Sequence, residues 1–435
     1  MKPNSTALHT TTGLIAALLL PLQLTGQEAG TQDAIHAPPR YSIEDLGDLG
    51  GGFSAASGLN NEGVVDGTSA VKSALPQGEF HAFRWRDGVM TDLGTLGGFN
   101  SNAQDQPNSS GTITGMAETA TPDPNGEDFC FGGTNLICVP YVWKKGVISP
   151  LPLPGGNNGV AFQANNRGDI VGAAESAVPD PTCQPPFFLR LNAVIWEKDH
   201  LRVLPPLSGD TNAAAASINN QGQVVGNSGD CTIPFGNSFH AVIWENGTAV
   251  DLGNLGGTTG NLASMINDQG QVVGQSGTGT GQFVHAFLWE GGKMQDLGTL
   301  PGSPISQALG INNKGQIVGF AQDAAMDESS SIALLWQDGV LIDLNTLIPP
   351  DSPWFLEEAF SINDRGQIAG HMFNASTGEI HAFLATPISD EPNSTTQAAT
   401  RAAHRPPATV LSPRVRILLR QARRLRYGGI APGHQ

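Results

Sequence analysis

The sequence predicts an all-β chain: a seven-bladed β-propeller of four-stranded blades, its ring closed by N- and C-terminal strands in one blade, followed by a short basic C-terminal helix. Three observations predict it. An Asn-x-x-Gly turn recurs seven times, once in degraded form. A short apolar strand ending in Trp recurs at intervals of 45 to 58 residues, within the range of propeller blades. The first and last repeats are out of phase, so that the pieces at the two ends add up to one sheet. With 55 Gly and 30 Pro a helical repeat is excluded in practice. An open β-solenoid is the alternative, but it needs atypical capping repeats and has no use for the phase offset.

Residues 285–319 show the unit most clearly. His285-Ala286-Phe287-Leu288-Trp289 is an apolar, aromatic run that suits a buried strand. Residues 290–293 form a hairpin turn in which Gly291 and Gly292 are free to take positive φ. Residues 294–300, with Asp296-Leu297-Gly298, read as the second strand, and 306–312 as the third. Asn312-Asn313-Lys314-Gly315 is a turn, because Asn bonds its own backbone and Gly accepts the left-handed step. Residues 316–319, rich in β-branched side chains, read as the fourth. A single four-stranded sheet leaves its apolar faces uncovered, so the unit must stack on copies of itself.

Along the chain, residues 1–29 read as a secretory signal peptide: Lys2, then the 12-residue apolar stretch 13–24, too short to span a bilayer comfortably. An uncleaved anchor is the alternative. The propeller is expected over residues 41–387. It opens on a second strand, 45–51, without its first, and ends on a lone first strand, 381–384. The Trp of the first strand is Trp85, Trp143, Trp196, Trp244, Trp289 and Trp336; Ala385 stands in the last copy. The turns lie at 60–63, 108–111, 165–168, 219–222, 267–270, 312–315 and 363–366, with Gly222, Gly270, Gly315 and Gly366 as structural glycines. Pairing the two termini in one sheet would lock a circle and protect its edges. In the third and fourth units prolines at 150, 152, 205 and 206 replace the Asp-Leu-Gly segment, so those strands should be irregular or at an edge.

HAFRW at 81–85, HAFLW at 285–289 and HAFL at 381–384, with their DLGTLGG-like and INxxGxVVG-like segments, resemble the extracellular HAF repeat family. The clearest copies are 81–98, 285–302 and 308–319, and the resemblance covers residue 41 to about 385. The combined pattern is specific, whereas no single piece is. The resemblance implies export and a repeat architecture, and it carries over no catalytic residue.

Side chains at repeat positions read first as packing and turn residues. The six Trp should fill the space between sheets; carbohydrate stacking is the sharper reading. Trp354, in the Pro-rich stretch 349–355 and outside the register, is expected on a loop and is the candidate ligand contact; capping the apolar core is the bland reading. His81, His240, His285 and His381 share one position. Val139, Asn192 and Ile332 replace them elsewhere, and related sites lie in different blades, so a structural hydrogen bond is expected rather than a metal. Asp92, Asp251, Asp296 and Asp343 should tie turns to backbone amides. The acidic stretch 123–128 could bind Ca²⁺ but lacks EF-hand spacing. No metal, cofactor or catalytic residue is assigned.

Cys130, Cys183 and Cys231 each lie 13 residues before a motif Trp, in consecutive blades, and Cys138 follows Cys130 by eight. The expected bonds are Cys130–Cys138 and Cys183–Cys231, in an oxidising compartment. From residue 31 to 391 there are 13 Lys+Arg against 38 Asp+Glu, 13 − 38 = −25, which argues against nucleic acid. Beyond 391 there are eight Arg and no acid. Residues 388–409 read as a flexible linker. Residues 410–435 read as a basic amphipathic tail that could lie on an anionic membrane surface, dock on an acidic partner or fold back on the propeller. The expected protein is a secreted or cell-surface monomer. It is a binding module for an unknown glycan or protein ligand, with a hydrolase or lyase using funnel carboxylates as the alternative.

Overall fold

The computed structural model describes residues 39–388, apart from 74–77, 184–187, 199, 232–239, 259, 280–282 and 326–329. The expected signal peptide, linker and basic tail lie outside the described residues, although Ile388 still belongs to the last strand. Among the described residues there is no α-helix, and 28 strands run from β1 (Arg40–Asp45) to β28 (Ile380–Ile388). They form five four-stranded sheets and one of eight strands, which is two four-stranded groups joined by a single parallel pair, Phe53 with Ile380. The result is a β-propeller of repeated four-stranded blades.

The sixth blade shows the plan. It consists of β22 (Ile305–Ile311), β23 (Ile317–Gln322), β24 (Ile332–Gln337) and β25 (Val340–Asp343), antiparallel in that order. Every residue of β22 and β23 is buried, whereas none of β25 is. First strands are largely buried, whereas fourth strands form the rim. The apolar core is divided into clusters between sheets, for example Val273 and Ala286 of the fifth blade with Ile317, Leu334 and Trp336 of the sixth. Trp196, Trp244 and Trp336 each donate an indole N–H to a carbonyl of the preceding blade's outer loop, at Pro152, Pro205 and Leu297.

The boundaries of the repeat are corrected. The stretch read as one four-stranded meander supplies the outer two strands of one blade and the inner two of the next. The segment expected as a second strand over 294–300 is a strand only at Lys293–Asp296. Residues beyond it cross from the rim of one sheet to the centre of the next, and a crossing has no periodicity to read.

The same correction applies at the ends. β26 (Trp354–Ile362), β27 (Ile368–Asn374) and β28 lie in one sheet, and β1 pairs with β28 as its fourth strand, Asp45 opposite Phe383. Three strands therefore come from the C-terminal end and one from the N-terminal end, rather than the reverse. β2 (Gly50–Leu59) begins the first blade instead. Across this seam, Leu59, Phe83 and Trp85 pack on Ala369, Ala382 and Leu384. The Pro-rich segments of the third and fourth units follow β9 (Val147–Pro150) and β13 (His200–Leu204), which are rim strands. A rim strand can lack donors on its open side.

Candidate functional site: an axial bowl of asparagine turns

Each Asn-x-x-Gly turn joins the first and second strands of a blade. In the sixth, Asn312 Oδ1 accepts the amides of Lys314 and Gln316, both at 3.0 Å. The Asn312 carbonyl accepts the Gly315 amide, and Gly315 has φ +76°. With its oxygens occupied, Asn312 keeps an Nδ2 that points sideways. It reaches the carbonyl of Asn363 in the next blade at 2.9 Å.

The same donation recurs at every turn. Asn60 gives to Asn108, Asn108 to Asn165, Asn165 to Asn219, Asn219 to Asn267 and Asn267 to Asn312. Asn363 gives back to Asn60 at 3.0 Å, so the series returns to its first residue.

A second circuit runs through the next position. The amides of Ser109, Asn166, Asn220, Asp268, Asn313 and Asp364 donate in turn to the Oδ1 of Asn166, Asn220, Asp268, Asn313, Asp364 and Asn61. Only Ser109 lacks a side-chain carbonyl to continue it.

Together the turns line a bowl of about 110 Å³. Gln163 is among its lining residues: its Oε1 accepts the Ser217 hydroxyl and the Ile218 amide, while its Nε2 donates to the Met265 sulfur. Glu62, Asp268 and Asp364 line the bowl and no Lys or Arg does.

The other residues singled out in the sequence lie elsewhere. His81, His240, His285 and His381 each bond an Asp of the rim strand through Nδ1: Asp92, Asp251, Asp296 and, across the seam, Asp45. Oδ1 of each of these Asp also caps a turn at Gly94, Gly253, Gly298 or Gly47. Burial disfavours the charge on His381, but its bond to Asp45 and the nearby Asp48 and Glu379 outweigh that and raise its pKa. Asp343, whose blade has Ile332 in the His place, caps the Leu344–Thr346 turn instead. Trp354 is not on a loop: it opens β26, half-buried, its ring 5.3 Å from that of His381. Among the described residues no group of three His, Cys, Asp or Glu is placed to hold a metal.

The disulfides are Cys130–Cys138 and Cys183–Cys231. They staple connections at the ends of the blades away from the Asn turns. There the acidic stretch folds inward: Asp123 Oδ1 takes the amides of Asn125 and Glu127. Asn158 Nδ2 then meets three carboxylates, Asp123, Glu127 and Glu175, at 2.9, 3.1 and 3.1 Å. Cys138 donates to Asn158 Oδ1, which fixes the amide's orientation. Glu175 Oε1 has no donor and faces Glu127. Burial, then the charge of Glu127, pushes the Glu175 pKa up to about 8, so the pair shares a proton at neutral pH.

That proton sets a pH dependence. Between about 4.5 and 8 the folded chain holds a proton that the unfolded chain has lost, so stability falls as pH rises through this window. Glu175→Gln keeps the shape and supplies a permanent donor to Glu127. The variant is expected to lose most of this slope and to gain on the order of a few kcal/mol at pH 8 to 9. Urea unfolding of both proteins from pH 5 to 9 checks it; parallel curves would remove the shared proton from the account.

Two features of the site escaped the sequence reading. One is the sideways Nδ2 of the turn asparagines; its signal was that Asn holds the first turn position in all seven copies, including the degraded one at Asn108. The other is the Asn158–Glu175 cluster, whose members are far apart in the chain and carry no motif.

No protein-family model matches the chain, and no curated protein matches it. Solved structures similar to it include the β-propeller domain of the Trilobed protease from Pyrococcus furiosus, at 12% identity and TM-score 0.35, covering 67% of this chain and 98% of that one. A second is XC5397, a gluconolactonase of Xanthomonas campestris, at 10% identity and TM-score 0.37, covering 81% and 95%. A third is the acylaminoacyl peptidase of Pyrococcus horikoshii, at 10% identity and TM-score 0.38, covering 74% of this chain and 58% of that one.

Proposed function

We propose that this chain is an exported, non-enzymatic HAF-type repeat protein, a closed seven-bladed ring that binds a glycan or protein ligand at its axial bowl. The observation that carries the reading is the double circuit of turn hydrogen bonds. It holds a ring of amides and carboxylates in fixed positions around a depression, which is a preorganised polar surface. Two disulfides fit an oxidising compartment and so support export.

One observation favours the alternative, a hydrolase or lyase. The Glu127–Glu175 pair combines an elevated pKa with a neighbouring carboxylate, as acid–base catalysis requires. Burial weighs against it: the two residues are 0% and 1% exposed, with Glu127 Oε1 bound by the Phe188 amide and Glu175 Oε2 by the amides of Asn157 and Asn158.

The test is a glycan array run beside a panel of glycosidase, lyase and esterase substrates on the purified protein. Retention on a defined glycan without turnover is the expected result. Turnover that Glu175→Gln abolishes would replace this reading with the enzymatic one.

A further inference from the structure

We propose that β1 is a latch worked by pH: as pH rises from mildly acid to alkaline, β1 lets go of β28 and bares the outer edge of that sheet, while the other blades keep their rim strands. Connectivity, bonding and charge at the seam all support it.

Each of the other six rim strands follows the third strand of its own blade across two residues, such as Gly291-Gly292 between Glu290 and Lys293. A rim strand that opens there is kept within reach of its partner by the turn, so it closes again. β1 has no turn with β28; it joins the sheets through residues 46–49, which lead to β2. Of the seven rim strands it has the least to bring it back.

The bonds that hold β1 are few. Its six residues pair with Phe383–Ile388. The Tyr41 amide donates to the Leu347 carbonyl, and just past the strand the Leu46 amide donates to the Ala382 carbonyl. Tyr41 is buried in a cluster with Leu347, Ile348 and Phe383. Among the described residues one ion pair ties the strand to the sheet, Asp45 with His381 Nδ1 at 2.9 Å. The matching pairs of His81, His240 and His285 join residues 11 apart within a hairpin, whereas this one joins residues 336 apart. The pair that reinforces a turn elsewhere stands in place of a turn here.

The charged groups around the imidazole are Asp45 of β1, Asp48 at 3.7 Å from Nε2, and Glu379 on the lead into β28. The Trp354 ring of β26 lies 5.3 Å away. All four favour the protonated ring. Burial opposes the charge on Asp45, but the His381 bond, the Gly47 amide and the His381 charge outweigh it and lower its pKa. His381, raised above the ordinary histidine value near 6.5, contributes fully below that value and loses its contribution as pH climbs through the raised one. Asp45, lowered, contributes above the ordinary aspartate value near 3.9 and loses its contribution only in stronger acid. The latch is therefore tightest between about pH 4 and 6.5 and opens on the alkaline side.

Amide exchange of the full chain, read by NMR as protection factors from about pH 5.5 to 9, tests the proposal. Leu46 is the probe and Leu297 the control. The Leu297 amide donates to Ala286 beside the His285–Asp296 pair, in a blade whose rim strand has its turn. Relative to Leu297, Leu46 and Tyr41 should lose about fivefold of their protection across the range. The proton shared by Glu127 and Glu175 acts on unfolding of the whole chain; it lowers Leu297 at least as much and cannot mimic this ratio. His381→Gln keeps a donor for Asp45 without titrating, and Asp45→Asn keeps the Gly47 cap without the charge; each should flatten the ratio. A ratio that stays constant with pH in the unaltered protein, or a fall that survives either variant, overturns the proposal.

Discussion

Gly319→Ala is expected to cost about 3–5 kcal/mol, enough to consume much of a domain's stability. Gly319 lies in the second strand of the sixth blade, opposite the irregularity where β22 shifts register between Ala308 and Gly310. A Cβ there would overlap the Gln307 carbonyl oxygen and lie 2.9 Å from its carbon and 3.1 Å from Ala308 Cα. Those atoms are backbone in a buried strand, so no side-chain rotation relieves the contact. The strands must part, and the Ala308–Gly319 pairing goes with them. Gly67, Gly115, Gly172, Gly226, Gly274 and Gly370 meet a carbonyl in the same way in the other blades. Gly302→Ala, with open space around its Cβ but φ +83°, is the contrast: backbone strain alone, about 1–2 kcal/mol. Urea midpoints for the two variants check the order. Equal midpoints would show that crowding at the bulge does not constrain the blade.

Removing the long-range disulfide has a comparable effect. Cys183 and Cys231 are 48 residues apart and join the connections that follow the second strands of the third and fourth blades. Closing a loop of that length restricts the unfolded chain by about 4 kcal/mol in the chain-entropy account, against about 2.5 kcal/mol for the eight-residue span of Cys130–Cys138. The double variant Cys183→Ala, Cys231→Ala should therefore lose about 4 kcal/mol. Its first local sign should be faster amide exchange around Thr182, whose hydroxyl accepts the Cys231 amide at 3.0 Å. An unchanged urea midpoint would mean that the bond restricts nothing the folded blades do not already restrict.

How much of this was legible follows from what each residue's partners are. The Asn turns could be read because their contacts are local: Asn312 Oδ1 bonds residues two and four further on. The cysteine pairing could be read because Cys183 and Cys231 lie at the same distance before a motif Trp in neighbouring blades, which means closeness in space, and because only eight residues separate Cys130 from Cys138. Gly319 was visible only as part of a β-branched run, since the carbonyl that excludes a side chain there belongs to another strand. Trp354 read as a loop residue because prolines surround it, yet it is the first residue of β26 and pairs with Asn374, the last of β27. The Asn158 cluster was invisible because Asp123, Glu127 and Glu175 meet only after an insertion folds over the sheets.

Strand type, repeat length and turn chemistry were therefore set by the sequence alone, since each depends on neighbours within a few positions. Which strands share a sheet, which turns bond one another and which carboxyl keeps its proton were decided by the tertiary structure. The reason is physical: those outcomes depend on the crossing of residues 297–304 from rim to centre, on a neighbour 45 to 57 residues away whose side chain can or cannot accept a bond, and on the removal of water from Glu175, none of which exists until the blades stand side by side.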